Sequence, residues 1–228
     1  RVSDAKGVFL TIPRADLDWR PFAWLRNRLR IESLIIPQAT LIRTPHTTPT
    51  GAQGPILPDF DIVIGRLEVQ RLTVGRAVTG VVRGGRILGS ADIRKGRAKI
   101  QLGAVVEGSD RLTLTLDAEP DARKFDVDFH ARGIASGVLA RLSGVRRALA
   151  VDVAGAGDWQ AWRGKATADA GNARIVDLAL VNASGKYTLS GAVTPNGVFG
   201  AVADRLAAGR IAVNGAGTFE NRRLAGDL

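Results

Sequence analysis

The sequence predicts a mainly β chain: a largely antiparallel sheet of repeated units with a few short amphipathic helices. Three observations predict it. First, apolar and polar residues alternate along most of the chain, as in LTLTL (Leu112–Leu116) and FDVDF (Phe125–Phe129). Period two marks a strand with one apolar face, whereas parallel sheets covered on both sides read as unbroken apolar runs. Second, an order of elements returns after 60 residues: Val151, Val153, Gly155, Ala156, Gly157 and Trp159 fall on Ile211, Val213, Gly215, Ala216, Gly217 and Phe219. Upstream, LTLTL matches VDLAL (Val176–Leu180), and KFDVDF (Lys124–Phe129) matches KYTLSG (Lys186–Gly191), so strand, strand, helix, strand, strand repeats. Third, 45% of the chain is hydrophobic but only 5% aromatic, with 27 Gly. That mixture suits many short strands with a shallow Ala, Val, Leu and Ile face better than a core of large rings.

The elements follow in order. Val8–Ile12 and Ala15–Trp19 read as strands. Pro21 opens a helix over Pro21–Arg28, with Phe22, Leu25 and Leu29 three and four apart and Arg26, Arg28 and Arg30 as a basic flank. RIESLIIP and ATLIR read as two extended pieces broken at Pro37, closing an N-terminal unit over residues 1–43. Thr44–Pro58 holds four Pro, four Thr and two Gly, which marks a loop. Residues 59–228 continue as β repeats in one fragment. Asp61–Val69, then Leu72, Val74 and Val78, keep the strand pattern, and Gly84–Gly85 marks a turn. Ser90–Arg94 pairs with Ala98–Val106 across Lys95–Gly96, and EPDAR (Glu119–Arg123) is a turn between strands. Two further helices are predicted. One covers Gly137–Leu149, with Val138, Leu142, Val145 and Leu149 on one face and Arg141, Arg146 and Arg147 off it. The other covers Gly197–Ala208.

The net charge of +10 is uneven: residues 1–114 carry 18 basic and 10 acidic side chains, residues 115–228 carry 14 and 12. A basic surface suits nucleic acid, anionic lipid or an acidic partner. Arg outnumbers Lys 26 to 6 in a chain rich in Ala and Gly, which fits GC-rich coding equally well. Nucleic acid would need stacking aromatics beside the basic groups, and only Trp24 lies near such a cluster, so no nucleic-acid partner is expected. Zero Cys removes disulfides and thiolate metal sites, and no apolar run approaches the roughly twenty residues of a membrane span. With no Met and no signal-like apolar run, the chain is expected to be a piece of something longer, any export signal or anchor lying upstream.

Catalytic constellations are not evident. His46 and His130 are far apart without ligand partners at helical spacing, and no GxSxG turn presents a nucleophile. The stretches VAGAGDW and VNGAGTF lack the GxGxxG order and the following helix that a dinucleotide phosphate needs. Asp126 and Asp128 read as a solvated strand face, and Trp19, Trp24, Trp159 and Trp162 as packing at strand–helix junctions. No enzyme, cofactor or metal site is therefore expected. The functional question becomes what the apolar strand faces do. Two sheets could cover one another, or one curved sheet could leave its inner face open. Thirteen or so strands at about 4.8 Å each would extend roughly 60 Å, a trough suited to acyl chains. Its expected lining is Ile100 and Leu102, Leu112, Leu114 and Leu116, Phe125, Val127 and Phe129, Val151 and Val153, Val176, Leu178 and Leu180, Tyr187 and Leu189, and Ile211 and Val213.

The N-terminal run GVFLTIPRADLDWRPFAWLRNRLRIESLIIPQATLIR carries an acidic-x-acidic-Trp strand end (Asp16–Trp19), a Pro-apolar-x-x-Leu helix, and Arg-rich strands closing on Ile42–Arg43. It resembles the start of the TamB family, the inner-membrane component of the translocation and assembly module, within the AsmA-like superfamily. RLTLTLDAEPD, LARLSGVRRALAVDVAGAGDWQAWRG and KYTLSGAV are similar to that family too, so the resemblance covers nearly the whole chain; the Thr44–Pro58 insertion departs from it. The resemblance implies an elongated, U-shaped (taco-like) sheet with an apolar lumen. It implies a periplasmic protein held at the bacterial inner membrane by a segment outside this sequence, reaching toward the outer membrane. There a TamA-like barrel would be engaged by regions also outside it. The expected function is a non-enzymatic lipid-transfer conduit that carries phospholipid between the membranes and supports outer-membrane biogenesis. Phospholipid acyl chains and the inner-membrane surface would be its partners. The alternative is a structural chaperone for outer-membrane proteins, acting by strand addition at a sheet edge.

Overall fold

A computed structural model of the chain describes residues 1–46, 57–106, 110–121, 124–195, 209–220 and 223–227. The chain forms two compact units, Arg1–Arg111 and Leu112–Leu228. Both are mainly β and largely antiparallel, with a few short helices, as the alternation predicts.

In the first unit, β1 (Val2–Asp4), β2 (Gly7–Trp19), β3 (Arg28–Leu41), β4 (Asp61–Val74), β5 (Arg83–Arg94) and β6 (Arg97–Val106) lie in the sheet in chain order. Val8–Ile12 and Ala15–Trp19 prove to be one strand, continuous through Pro13, and the pieces flanking Pro37 are one strand as well. Each change of phase is a bulge. The pairing skips residues between Arg14↔Gln38 and Asp16↔Ile35, and Pro37, which has no N–H to give a ladder, sits at that irregularity. The pair β3–β4 is parallel, with Leu29, Ile31, Leu34, Ile36, Ala39 and Leu41 beside Ile62, Ile64, Leu67, Val69, Leu72 and Val74. Both strands slip phase at the same rows, so their apolar residues stay on one face. Gly65 is required there: a Cβ on it would lie 2.9 Å from the carbonyl oxygen of Glu32.

The parallel pair accounts for the Thr/Pro-rich insertion. A chain leaving the end of β3 and entering β4 in the same direction must travel back along the strand, which takes a dozen or more residues. Residues 42–60 connect the two strands, and most of Thr44–Pro58 lies outside the described residues. Strand β5 already includes Gly84 and Gly85, so the turn predicted there falls earlier, at a short helix α1 (Arg76–Thr79) closed by Gly80. The predicted hairpin is present: Arg94 pairs with Arg97 across Lys95 (φ 51°) and Gly96 (φ 74°), the positive-φ pair that tight hairpins use. The predicted helix at Pro21–Arg28 is a single 3₁₀ stretch, Pro21–Arg26, ended by Asn27 in the left-handed region. Ile36, Ala39 and Val69 form the buried centre of this unit, with Leu10, Ile12 and Leu34 against them.

The second unit runs β7 (Asp110–Glu119, entering it at Leu112), β8 (Lys124–Gly133), β9 (Leu149–Gly157), β10 (Ala161–Ala170), β11 (Ala173–Ala183), β12 (Lys186–Val193), β13 (Ile211–Glu220) and β14 (Arg223–Asp227), again in chain order. From β8 to β14 each strand pairs antiparallel with the next. The repeat is visible as β7–β8, helix, β9–β10 and then β11–β12 with β13–β14. The predicted helix at 197–208 lies outside the described residues. The one predicted at Gly137–Leu149 is shorter: α2 spans Val138–Ser143, and Gly144 (φ 74°) ends it in the left-handed conformation. Leu142 is consequently exposed, while Val145 and Leu149 leave the helix and join Ala168, Ala170 and Ile175 in a buried cluster. Among the described residues, α2 packs at the β8 side of this sheet and the strands touch their sheet neighbours.

Asp4 closes the start of the first unit. Its carboxylate accepts from both terminal nitrogens of Arg43 and from the backbone N–H of His46 (2.6 Å) and Lys6 (2.8 Å), while Arg43 also donates to the Gly7 carbonyl. The Arg43 hydrogen bond above all, then the His46 amide, holds the carboxyl far below its ordinary value of 3.8. A depressed folded pKa means stability that is complete above the unfolded pKa and lost as pH falls below it. The protection factors of the Val2–Leu10 amides, corrected for the intrinsic pH dependence of exchange, should therefore be high near neutral pH and fall progressively below about pH 4. Asp4→Asn should show low protection factors at both pH values; an unchanged pH dependence of protection in that variant would assign it to other groups.

Candidate functional site

Residues directly opposed in neighbouring strands point to the same face of a sheet. In the second unit this rule gathers the predicted lining. One row across six strands reads Ala131, Val151, Ala168, Val176, Val193 and Ile211. The next reads Phe129, Val153, Ala166, Leu178, Gly191 and Val213, and the third Val127, Gly155, Gly164, Leu180, Leu189 and Gly215. The last holds Gly157, Trp162, Asn182, Tyr187 and Gly217, with Phe125 on the same face by alternation with Val127. No charged residue occurs in any of these rows. They cover about 24 Å across the strands and about 20 Å along them.

Leu112, Leu114 and Leu116 alternate along β7 with Thr113 and Thr115. Thr115 and Asp117 share a shallow concavity with Asp126, Asp128, Ala154 and Arg163, so the three leucines belong to the opposite, apolar face. In the first unit, Ile100 and Leu102 oppose Ala91 and Gly89, which in turn oppose Ile64 and Leu67; they too lie on an apolar face. Every residue predicted as lining is thus on the apolar side of its own unit.

The other face of the second unit is charged. Lys165 pairs with Asp177 (3.1 Å), and Arg132 with Asp152 (2.8 Å). His130 sits between Asp128 (2.7 Å) and Asp152 (2.6 Å). Arg132, then His130, holds the Asp152 carboxyl below its usual range. These exposed pairs keep that face in water and contribute little stability individually.

The end row of the apolar face carries the features that sequence reasoning missed. Trp159 and Trp162 are not at strand–helix junctions; Trp162 lies in β10 and Trp159 in the β9–β10 turn. The Trp162 indole lies flat across the sheet because two neighbours have no side chain. A Cβ on Gly155 or on Gly164 would stand 2.2 Å from its ring atoms. Its Nε1–H donates to the Phe125 carbonyl (2.6 Å), fixing the ring. Gly157 has φ +134°, and a Cβ there would lie 2.2 Å from the Ala161 carbonyl oxygen, so the strand can end beside Trp162 only with glycine. Asn182 is 2% exposed. Its Nδ2 donates to the Trp159 carbonyl (2.7 Å) and its Oδ1 accepts from the Gly185 N–H (2.9 Å), tying two turns together. Burial raises the Tyr187 phenol pKa. The signal available was the GAG spacing itself: glycines two apart on the face that otherwise carries Val and Leu leave room for a ring.

In the first unit the predicted basic flank is largely neutralised. Arg28 pairs with Asp61 (3.1 Å), Arg20 and Arg30 share Glu32 (2.5 and 2.8 Å), and Arg94 pairs with Asp92. Beside them the 3₁₀ helix presents Phe22 and Leu25, each 81% exposed, and Trp24, 60% exposed. Among the described residues no helix is long and apolar enough to cross a membrane. Nor is any group of three His, Cys, Asp or Glu placed to hold a metal ion.

Gly164→Ala should push the Trp162 ring off its seat, costing about 1–3 kcal/mol of stability by overpacking. In the NMR spectrum the Trp162 indole N–H should move as its bond to Phe125 is lost, whereas Ala154→Ser on the opposite face should leave it in place. An unmoved resonance in Gly164→Ala would show that the glycines do not seat the ring. No family model, curated protein or solved structure matches the chain.

Proposed function

We propose that this chain is a non-enzymatic segment of a lipid conduit, of the kind the TamB resemblance implies, in which acyl chains lie on the apolar sheet faces and headgroups stay in water. The observation that carries the reading is the uncharged face of the second unit, which runs through six strands. Its first row is partly covered, with Ala131 and Ala168 buried and Val151 and Val176 packed against the Val145 cluster, whereas Phe129, Val153, Leu178, Leu180 and Leu189 in the following rows are only half-buried. Soluble monomers rarely expose contiguous apolar area beyond a few hundred Å² without a use for it. Small residues such as Ala166 and Gly191 stand between the Val and Leu side chains of the second row and keep that part of the face low, while the Trp162 ring covers Gly155 and Gly164 in the third. Phospholipid is the proposed cargo, moving between the inner and outer membranes of a bacterium, with the chain in the periplasm. The exposed Phe22, Trp24 and Leu25 would meet the inner-membrane surface, apolar side chains entering the interface while Arg26 stays at headgroup level.

Photo-crosslinkers at Leu114 and Leu178, with Thr113 and Ala179 as opposite-face controls, test the proposal. Phospholipid adducts are expected from the two leucine positions alone. Leu178→Arg would place an unpaired charge in the path of the chains. It should reduce adducts from a probe at Leu180 by at least about tenfold, the order of effect that a penalty of a few kcal/mol produces. Adducts of peptide along a sheet edge, with no lipid on the leucine positions, would contradict the conduit and favour strand addition.

A further inference from the structure

Along the end row of the second unit lies an open cavity of about 320 Å³ lined by Phe125, Asp158, Trp159, Trp162, Leu180, Asn182 and Tyr187. Four of these are aromatic. Phe125 and Trp162 lie 6.3 Å apart, centroid to centroid, and Trp159 and Tyr187 stand edge to face at 5.9 Å. The rings are held by main-chain contacts: Trp162 through the Phe125 carbonyl, and the Trp159 backbone through buried Asn182.

The charge of the cavity is opposite to that of the protein. In a chain of net charge +10, the single ionisable lining group besides the tyrosine among the described residues is the Asp158 carboxylate, and no basic side chain of those residues is in the lining. Asp158 is exposed, and its Oδ1 accepts from the Gln160 and Ala161 N–H groups (2.8 and 2.9 Å), which fixes it in the turn. Aromatic faces carry negative quadrupole potential and attract cations, most strongly when several rings surround one charge. A cavity of several rings with one carboxylate beside them repels anions and offers an inorganic metal ion too few oxygen ligands. It suits a cation that is large, weakly hydrated and partly apolar.

We propose that this cavity binds an organic ammonium group, primary or quaternary. The group would sit among the four rings, its methyl or methylene hydrogens on the ring faces, with Asp158 balancing its charge. The assignment rests on the cavity and not on the acyl-chain reading, and it stands if no lipid crosslinks at Leu178. The ammonium group could belong to a small metabolite or to a zwitterionic lipid headgroup; the recognising chemistry is the same.

The test is NMR titration of the full chain, following the indole N–H resonances of Trp159 and Trp162. Choline should shift both saturably. Neohexanol, its uncharged isostere with carbon in place of the quaternary nitrogen, should bind at least about tenfold more weakly, because only the charge distinguishes the two. Asp158→Asn keeps the Oδ1 acceptor and therefore the turn. It should weaken choline severalfold and leave neohexanol unchanged. Tyr187→Leu keeps bulk but removes one ring, and should also weaken choline selectively. Dihexanoyl phosphatidylcholine and dihexanoyl phosphatidylglycerol, both below their micelle concentrations, separate the sources. Tighter binding of the choline lipid than of free choline supports a headgroup, and equal binding supports a free ammonium compound. Equal affinity for choline and neohexanol, or no saturable shift with either, would overturn the site.

Discussion

The hydrogen-bond register between neighbouring strands is the constraint on which the rest of this structure depends. Side chains alternate with period two, so a slip of one residue between two strands would send a whole apolar set to the charged face. In the second unit the register holds Val153 beside Ala166, Ala166 beside Leu178, and Leu178 beside Gly191. The charged residues are thereby collected on the opposite side, where Lys165 meets Asp177 and Arg132 meets Asp152. Where the first unit needs a change of phase, β3 and β4 make it together, and the close approach of their bulges admits only glycine at Gly65. The apolar face is a consequence of pairing, and it fails wherever pairing fails.

Much of this was legible in the sequence because period-two alternation is a local signal. LTLTL, FDVDF and the 60-residue repeat placed β7 to β13, and within each unit the predicted lining falls on the apolar face. The boundaries were less legible. Val138, Leu142, Val145 and Leu149 have helical spacing, yet Gly144 in the left-handed region ends α2 after two turns, and spacing alone does not report that backbone reversal. Pro37 reads as a strand break, but a bulge accommodates it. The parallel pairing of β3 and β4 was hidden because their phase slips make each strand look like two short ones; the long insertion between them was the available clue.

The aromatic row shows a different limit. Trp159 and Trp162 were visible as residues, but their placement depends on what lies across the ladder. Trp162 has room because Gly155 is its neighbour's neighbour in β9 and Gly164 is two residues along its own strand. Asn182, buried and polar, connects two turns through a carbonyl and an amide that no single stretch of sequence brings together. Aliphatic side chains along the middle of the face and large rings at its end divide one surface into two chemistries: a floor without charged groups and an open cavity with a carboxylate at its edge.

The central claim is that one face of the second unit is open to acyl chains and the other is not. Nitroxide labels placed singly at Leu114, Leu178 and Leu189, and at Thr113, Ala179 and Thr188, measure this directly through collision with oxygen and with a water-soluble nickel chelate. On adding phospholipid vesicles, the account predicts that the three leucine positions gain oxygen contact and lose contact with the chelate. The Thr and Ala positions should keep their aqueous values. The same response on both faces, or no response at the leucine positions, would contradict it.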